Sequence, residues 1–255
     1  MDDNRKKCVI VVPTHKEFCD LHYSEVASLE QLYRIFGEKY DIKILTKRSV
    51  DIQPYKCVFN GCKNVSDVRV ENIWLNSWRG YTNLVSSERF YAMFSEYEYI
   101  LIYQLDAWVF RDELEYWCDQ NYDYIGAPFW FEPSKDFIIG NGGVSLRRVQ
   151  AMINYINNNN DENLDRYGFD DTFFSVNYSN TLTIPEKLIG AKFALDECAD
   201  IFCGQIEQLP FCAHKFLRNE TCLFWKNKID LSIAESAYKK VINYYKNKCD
   251  KQNKD

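Results

Sequence analysis

The chain is short of the residues that loosen a backbone: among 255 residues there are only ten glycines and six prolines. That scarcity excludes a collagen-like or linker-like polymer, and a hydrophobic content of 46% excludes a disordered one. Long apolar runs are also missing. Nothing approaches the roughly 18 consecutive apolar residues of a membrane span. The first apolar run, Cys8 to Pro13, falls short of the roughly 7–15 residues of a signal-peptide core, and no small-residue cleavage site follows it. No secretory signal is therefore expected, and the expected compartment is the reducing cytosol. An excess of basic charge is absent as well: Lys+Arg 31 against Asp+Glu 37 leaves a net charge of -6, which argues against a nucleic-acid partner.

Aromatic residues are plentiful, at 16%, with 18 Tyr, 17 Phe and 6 Trp. Such rings suit sugar faces and bases, and they also fill cores. The ten cysteines would suggest a disulfide framework outside the cell, but in a reducing compartment free, buried thiols are expected. One cluster stays open. Cys198, Cys203, Cys212, His214 and Cys222 are separated by four, eight, one and seven residues, without a C-x-x-C knuckle, so buried thiols are preferred over a zinc-stabilised module.

Along the chain, Cys8-Val-Ile-Val-Val-Pro13 reads as a strand buried on both faces, as in a parallel sheet. His22 to Phe36 has helical apolar spacing and stops at Gly37, and Asp41 to Thr46 alternates like a strand. Strand, helix, strand is the rhythm of an open doubly wound sheet. Asp67 to Val70 is a further strand, Asn83 to Tyr97 a helix, and Glu98 to Asp106 the most hydrophobic strand of the chain. Arg111 to Gln120 reads as a helix, Tyr122 to Gly126 and Val144 to Leu146 as strands, and Val149 to Ile156 as a helix. The run Asn157 to Asn160 reads as a loop, Asp170 to Tyr178 as a helix start, and Ser232 to Cys249 as a tail helix. No internal repeat or linker divides the chain.

In such a sheet, ligands bind beyond the carboxyl ends of the strands. Pro13-Thr-His-Lys16 lies at one such end and Asp106 at another. Asp106 is either a capping or loop acid or a ligand for a hard divalent cation. Gly140-Asn-Gly-Gly143 lacks the spacing of a dinucleotide fingerprint; it is an ordinary turn or a place where substrate approaches the backbone. Asp170 and Asp171 either cap a helix or work as a pair of acids, one with a raised pKa. His214-Lys215 joins a neutral ligand to a positive charge, which suits a metal-bound diphosphate.

Taken in order, Gln104-Leu-Asp-Ala-Trp-Val-Phe110, Gly140-Asn-Gly-Gly-Val-Ser-Leu-Arg147, Asp170-Asp-Thr-Phe-Phe174 and Pro210-Phe-Cys-Ala-His-Lys215 resemble a bacterial family catalogued as a domain of unknown function with a glycosyltransferase-like fold. The resemblance covers roughly Lys7 to Phe216 and extends to glycosyltransferases of the GT-A class. It implies an α/β, Rossmann-like open twisted mixed sheet flanked by helices. A single domain over 1–220 would carry a helical extension, 221–255, packed on it. The implied activity is transfer of a hexosyl residue from a nucleotide sugar, a UDP-sugar, to a glycan hydroxyl, with inversion, in surface polysaccharide or glycan biosynthesis. A non-catalytic sugar or nucleotide binder is the competing reading.

By the same resemblance, Asp171 is the catalytic base with Asp170 beside it. Pro13, Thr14, His15, Gln104, Asp106, Ala107, Gly142, Gly143 and Lys215 would line the donor, and Asp106 and His214 would hold Mn²⁺ or Mg²⁺. The chain departs from the usual pattern in one respect: Gln104 stands where the first acid of the metal motif is expected. Trp108, Trp130 and Asn141 would meet the acceptor, with Phe129 a further aromatic nearby. The acceptor would be a glycan or lipid-linked glycan at the inner membrane face, where Lys239, Lys240, Lys246 and Lys248 either aid peripheral attachment or form a solvated helix face.

Overall fold

A computed structural model describes residues 5–159, 168–176, 181–197, 199–218 and 221–252. Cys198, Asn160 and Tyr178, which enter the expectations above, lie outside the described residues. The chain begins with β1 (Lys6–Pro13), α1 (Tyr23–Phe36) and β2 (Asp41–Lys47), followed by α2 (Gln53–Val58) and β3 (Val65–Val70). Three short helices, α3 (Asn72–Leu75), α4 (Trp78–Val85) and α5 (Glu88–Ala92), lead into β4 (Tyr97–Tyr103) and β5 (Ala107–Val109). Next come α6 (Leu114–Asp119), β6 (Tyr124–Gly126), the hairpin β7 (Pro128–Phe131) and β8 (Asp136–Ile139), then β9 (Val144–Arg148) and α7 (Val149–Asn158). The rest comprises α8 (Asp170–Val176), α9 (Lys187–Phe193), β10 (Ala194–Leu195), α10 (Ala199–Phe202), β11 (Cys212–His214), α11 (Cys222–Trp225) and α12 (Ala234–Gln252).

The central sheet has six strands in the order β3-β2-β1-β4-β9-β6, parallel from β3 to β4 and antiparallel at β9. The unbroken apolar run of β1 follows from its place in the middle. Cys8, Ile10 and Val12 join the core on one face, and Val9 and Val11 join the core on the other. Because the chain winds outward from β1 to β3 and then returns to place β4 on the other side of β1, the strand order reverses between β1 and β4. A crevice opens at their carboxyl ends, where ligands bind in open α/β sheets. A second sheet, β10-β11-β5, lies beside that crevice.

Among the boundaries that differ from the sequence reading, two are set by named hydrogen bonds. The expected helix over 83–97 is two helices, because Ser87 caps α5 by accepting from the Phe90 N–H and donating to the Leu84 carbonyl, which breaks the ladder. The strand expected to reach Asp106 ends at Tyr103. The Gln104 N–H donates to the Gly143 carbonyl (3.0 Å), and Ala107 begins β5 in the other sheet. That change of sheet leaves Asp106 exposed and Gln104 half-buried, while Leu105 stays in the core.

Helix α12 packs on α1 and α2. Lys240 ties it down by donating to buried Glu30 (2.7 Å) and to the Val58 carbonyl (3.0 Å), with its ammonium 4.0 Å from the Tyr33 ring centroid. Lys240 is therefore engaged inside the fold, whereas Lys239, Lys246 and Lys248 are exposed. Among the described residues Cys8, Cys57, Cys118 and Cys212 are buried thiols.

Candidate active site

At the crevice lies a cavity of about 480 Å³. It is lined by Pro13 to Lys16 at the end of β1, by Gln104 to Asp106 beyond β4, and by Asn76 to Trp78 with Tyr81. Thr14 is buried, its hydroxyl 3.2 Å from the Tyr55 hydroxyl, so it braces the wall from within. His15 is exposed at the rim. Trp78, at the start of α4, keeps 55% of its surface exposed and meets exposed Phe169 at a centroid distance of 5.1 Å.

Behind Asp106 stands buried His214, brought there by the antiparallel pairing of β11 with β5. Its Nε2 lies 3.2 Å from Asp106 Oδ1 and 3.3 Å from Gln104 Oε1, and its Nδ1 lies 3.4 Å from Asp196 Oδ2. Burial opposes charge on this imidazole, but the carboxylates of Asp106 and Asp196 outweigh it and lift its pKa to about 9. Burial likewise raises Asp106, and the His214 charge more than reverses that, to about 2. The ring fits because Gly143 has no side chain: a Cβ there would sit 2.1 Å from His214 Cε1 and Nε2.

Among the described residues no three His, Cys, Asp or Glu side chains converge as a metal set, Cys203, Cys212 and Cys222 included. Asp106 Oδ1 and His214 Nε2 do converge, with the Gln104 amide oxygen as third donor. Both oxygens lie near the same imidazole nitrogen, at 3.2 and 3.3 Å, so the three donors are close enough to be shared by one hard cation. A lone carboxylate gives the set little negative charge, and His214 must shed its proton to ligate. The residues therefore fit a divalent cation whose shell is completed by anionic oxygens of a ligand.

The two adjacent acids have separate environments. Asp170 Oδ2 accepts from Arg147 Nη2 at 2.7 Å. Arg147 is fully buried, donates also to Ser145 and Tyr91, and faces the rings of Tyr124 and Phe174. Asp170 is thus the counter-ion of a buried guanidinium. Asp171 has no such partner among the described residues; its Oδ1 accepts from the Thr172 N–H at 2.7 Å. Burial first, and the charge of Asp170 second, raise its pKa to about 6. A Cβ on Gly142 would lie 2.8 Å from Asp170 Oδ2, so the two glycines admit Asp170 and His214 in turn.

Residues 64–214, more than half of the chain, match the family model described as a protein of unknown function, DUF5672. The chain belongs to this family. No curated protein matches it. Among solved structures, the DUF5672 chain is similar to the galactosyltransferase LgtC in complex with donor and acceptor sugar analogs. That likeness has a TM-score of 0.61 and 13% identity, covering 92% of this chain and 95% of that one. The apo glycosyltransferase GlyE of Streptococcus pneumoniae gives a TM-score of 0.53 at 14% identity over 95% of this chain, which spans 64% of the length of GlyE. Mouse xyloside xylosyltransferase 1 gives 0.51 at 11% identity, over 82% of this chain and 97% of that one. These likenesses show the fold: a single α/β domain of the GT-A glycosyltransferase type.

The geometry brings Pro13, His15, Gln104 and Asp106 to one cavity, with His214 and Lys215 behind it. It does not bring all expected residues there. Trp108, expected at the acceptor, is 4% exposed and packs edge-on against Phe216 inside the core, where the pairing of β5 with β11 sets it opposite buried Ala213. Ala107 is fully buried for the same reason. Asn141 is also buried, its Oδ1 accepting from the Gly143 N–H (3.0 Å), so it shapes the turn. Trp130 is exposed on the β7–β8 hairpin, where its Nε1 donates to Glu132, and Phe129 is half-buried on the same strand.

Sequence reasoning passed over Trp78, Arg147 and Asp196. Asp196 follows the short strand β10 as Asp106 follows β4, so an acid closing an apolar segment was a usable signal. Nothing local marks Trp78 or Arg147.

Proposed function

We propose that the chain is a glycosyltransferase that moves a hexosyl residue from a nucleotide sugar, a UDP-sugar, to a glycan hydroxyl, in surface polysaccharide or glycan biosynthesis. The observation that carries this reading is the meeting of Asp106, Gln104 and His214 at the floor of the cavity between the ends of β1 and β4. The nucleoside would lie along the wall at Pro13, Thr14 and His15. Gln104 would donate its amide N–H to the ribose. Asp106 and His214, with the Gln104 oxygen, would hold Mn²⁺ or Mg²⁺, which when bound supplies positive charge to the departing diphosphate. Lys215 adds a second positive charge near the same place.

Asp171 is the base of this reaction. It accepts the proton of the acceptor hydroxyl, whose oxygen attacks the anomeric carbon opposite the leaving group, with inversion. A carboxyl with a pKa near 6 is matched to proton transfer close to neutral pH. Asp170 holds the start of α8 through Arg147 and stays out of the chemistry. The exposed Trp130 offers a ring to the acceptor sugar. No helix among the described residues is long and apolar enough to cross a membrane. A lipid-linked acceptor at the inner membrane face would be met by the exposed Lys239, Lys246 and Lys248.

The test is a panel of nucleotide sugars assayed for donor hydrolysis and transfer, with Mn²⁺ and with EDTA. Turnover of one donor, lost in EDTA and reduced at least ~100-fold in Asp171→Asn with donor binding retained, is expected. Gln104 also supports a binder without catalysis. Tight binding of a nucleotide sugar with neither hydrolysis nor transfer would select that alternative.

A further inference from the structure

Asp196 has no part in the steps above, yet its side chain is 2% exposed. Such burial is costly for a carboxylate unless charge meets it. Two consecutive basic residues do. Asp196 Oδ2 lies 3.4 Å from His214 Nδ1 and 3.3 Å from Lys215 Nζ, which also reaches Glu197 at 3.1 Å; among the described residues neither buried Asp196 Oδ1 nor His214 Nδ1 has a hydrogen-bond partner, so the imidazole is met by charge and proximity. Neighbouring side chains at a strand end ordinarily point to opposite sides, so bringing both to one carboxylate requires a backbone reversal.

That reversal is present. Lys215 has φ of 49°, in the left-handed region that residues with a Cβ seldom adopt. Buried Thr221 holds it in place, its hydroxyl donating to the Lys215 carbonyl (3.0 Å), and the Arg218 N–H donates to the same oxygen (3.0 Å). On the opposite side the bare Gly143 leaves room for the imidazole. Strain, burial and a missing Cβ therefore all serve one arrangement, in which the Nε2 edge of His214 faces Asp106 and Gln104.

We propose that Asp196 is the positioning residue of the site, holding His214 by Nδ1 and Lys215 by its ammonium so that both face the diphosphate of a nucleotide donor. The assignment rests on the glycosyltransferase reading for the identity of that ligand. Residues that orient a ligating histidine typically change affinity by ~10–100-fold when replaced.

The experiment measures binding of UDP with Mn²⁺ by titration calorimetry to the full chain. Asp196→Asn keeps the shape and removes the charge. It is expected to weaken binding ~10–100-fold in the wild-type background. In a His214→Gln/Lys215→Met background the same change should weaken it less than ~3-fold, because the residues act as one unit. Unchanged affinity in Asp196→Asn, or an equal loss in both backgrounds, would overturn the proposal, since a merely structural acid acts additively. If Asp196→Asn does not fold, as judged by its melting transition, Asp196→Glu replaces it. Glu retains the charge but displaces it by a methylene, and the same non-additive loss is expected. Failure of the wild-type protein to bind UDP at all would instead remove the glycosyltransferase reading, and the positioning role with it.

Discussion

Replacing Gly143 by alanine should disable His214 without altering it. The added Cβ would come within 2.1 Å of His214 Cε1 and Nε2, whereas carbon atoms in contact settle at roughly 3.5–4.0 Å. Something must yield by about 1.5 Å. The ring is backed by Asp196 at 3.4 Å and is buried, so it has little room to retreat. If the ring moves, Nε2 leaves Asp106 and Gln104; if the turn moves, the Gln104 N–H loses the Gly143 carbonyl at 3.0 Å. Either way the floor of the cavity is displaced by an amount known to reduce catalysis ~100-fold. Overpacking of this kind costs ~1–3 kcal/mol, and for a chain of this size each kcal/mol lowers the melting temperature by roughly 2–4 °C. A fall of about 2–12 °C is therefore expected in thermal denaturation, together with loss of UDP–Mn²⁺ binding by calorimetry. Gly204 is the control, since a Cβ there would meet nothing within 4 Å. A Gly143→Ala protein that melts and binds like Gly204→Ala would refute the reasoning.

Three further outcomes are expected. Asp170→Asn leaves the buried Arg147 without its carboxylate, which should cost ~3–5 kcal/mol and lower the melting temperature by roughly 6–20 °C; a variant melting within about 1 °C of wild type would show that the pair is dispensable. Asp171, with its pKa raised to about 6, is protonated below that pH and able to act as base above it. The kcat/KM of transfer should therefore rise with pH through about 6, and a pH profile without that limb would remove Asp171 from the base role. Lys240→Ala strips buried Glu30 of its contact at 2.7 Å and leaves, among the described residues, Arg34 at 3.3 Å. Urea unfolding should show a loss of ~1–3 kcal/mol, and an unchanged midpoint would mean that α12 is held by its apolar face alone.

Much of the fold was legible because it rests on local pattern. The continuous apolar run of β1 announced a strand buried on both faces, and Val9 and Ile10 do enter different cores. Capping errors arose where a side chain competes with the helix ladder, as Ser87 does between α4 and α5. Trp108 went astray for a different reason. Its ring suits a sugar platform, but whether a ring is inside or outside depends on which strand its own strand pairs with, and β5 pairs with buried β11. The acidic pair shows the same limit: Asp170 and Asp171 are neighbours in sequence and become unlike because Arg147, 23 residues from Asp170, pairs with that acid, while burial raises Asp171.

By itself the sequence determined the α/β alternation and a first strand buried on both faces, consequences of periodicity, turn chemistry and residue type at short range. The glycosyltransferase-like fold came from the resemblance of four ordered motifs to a known family. Tertiary structure alone decided which acids meet which bases. It set His214 between Asp106 and Asp196, gave Asp170 to Arg147, and used the absence of side chains at Gly142 and Gly143 to admit both groups. The reason is physical: the charge state of a carboxylate or an imidazole is set by burial and by neighbours within a few ångströms, and those neighbours come from strands and helices far apart in the chain.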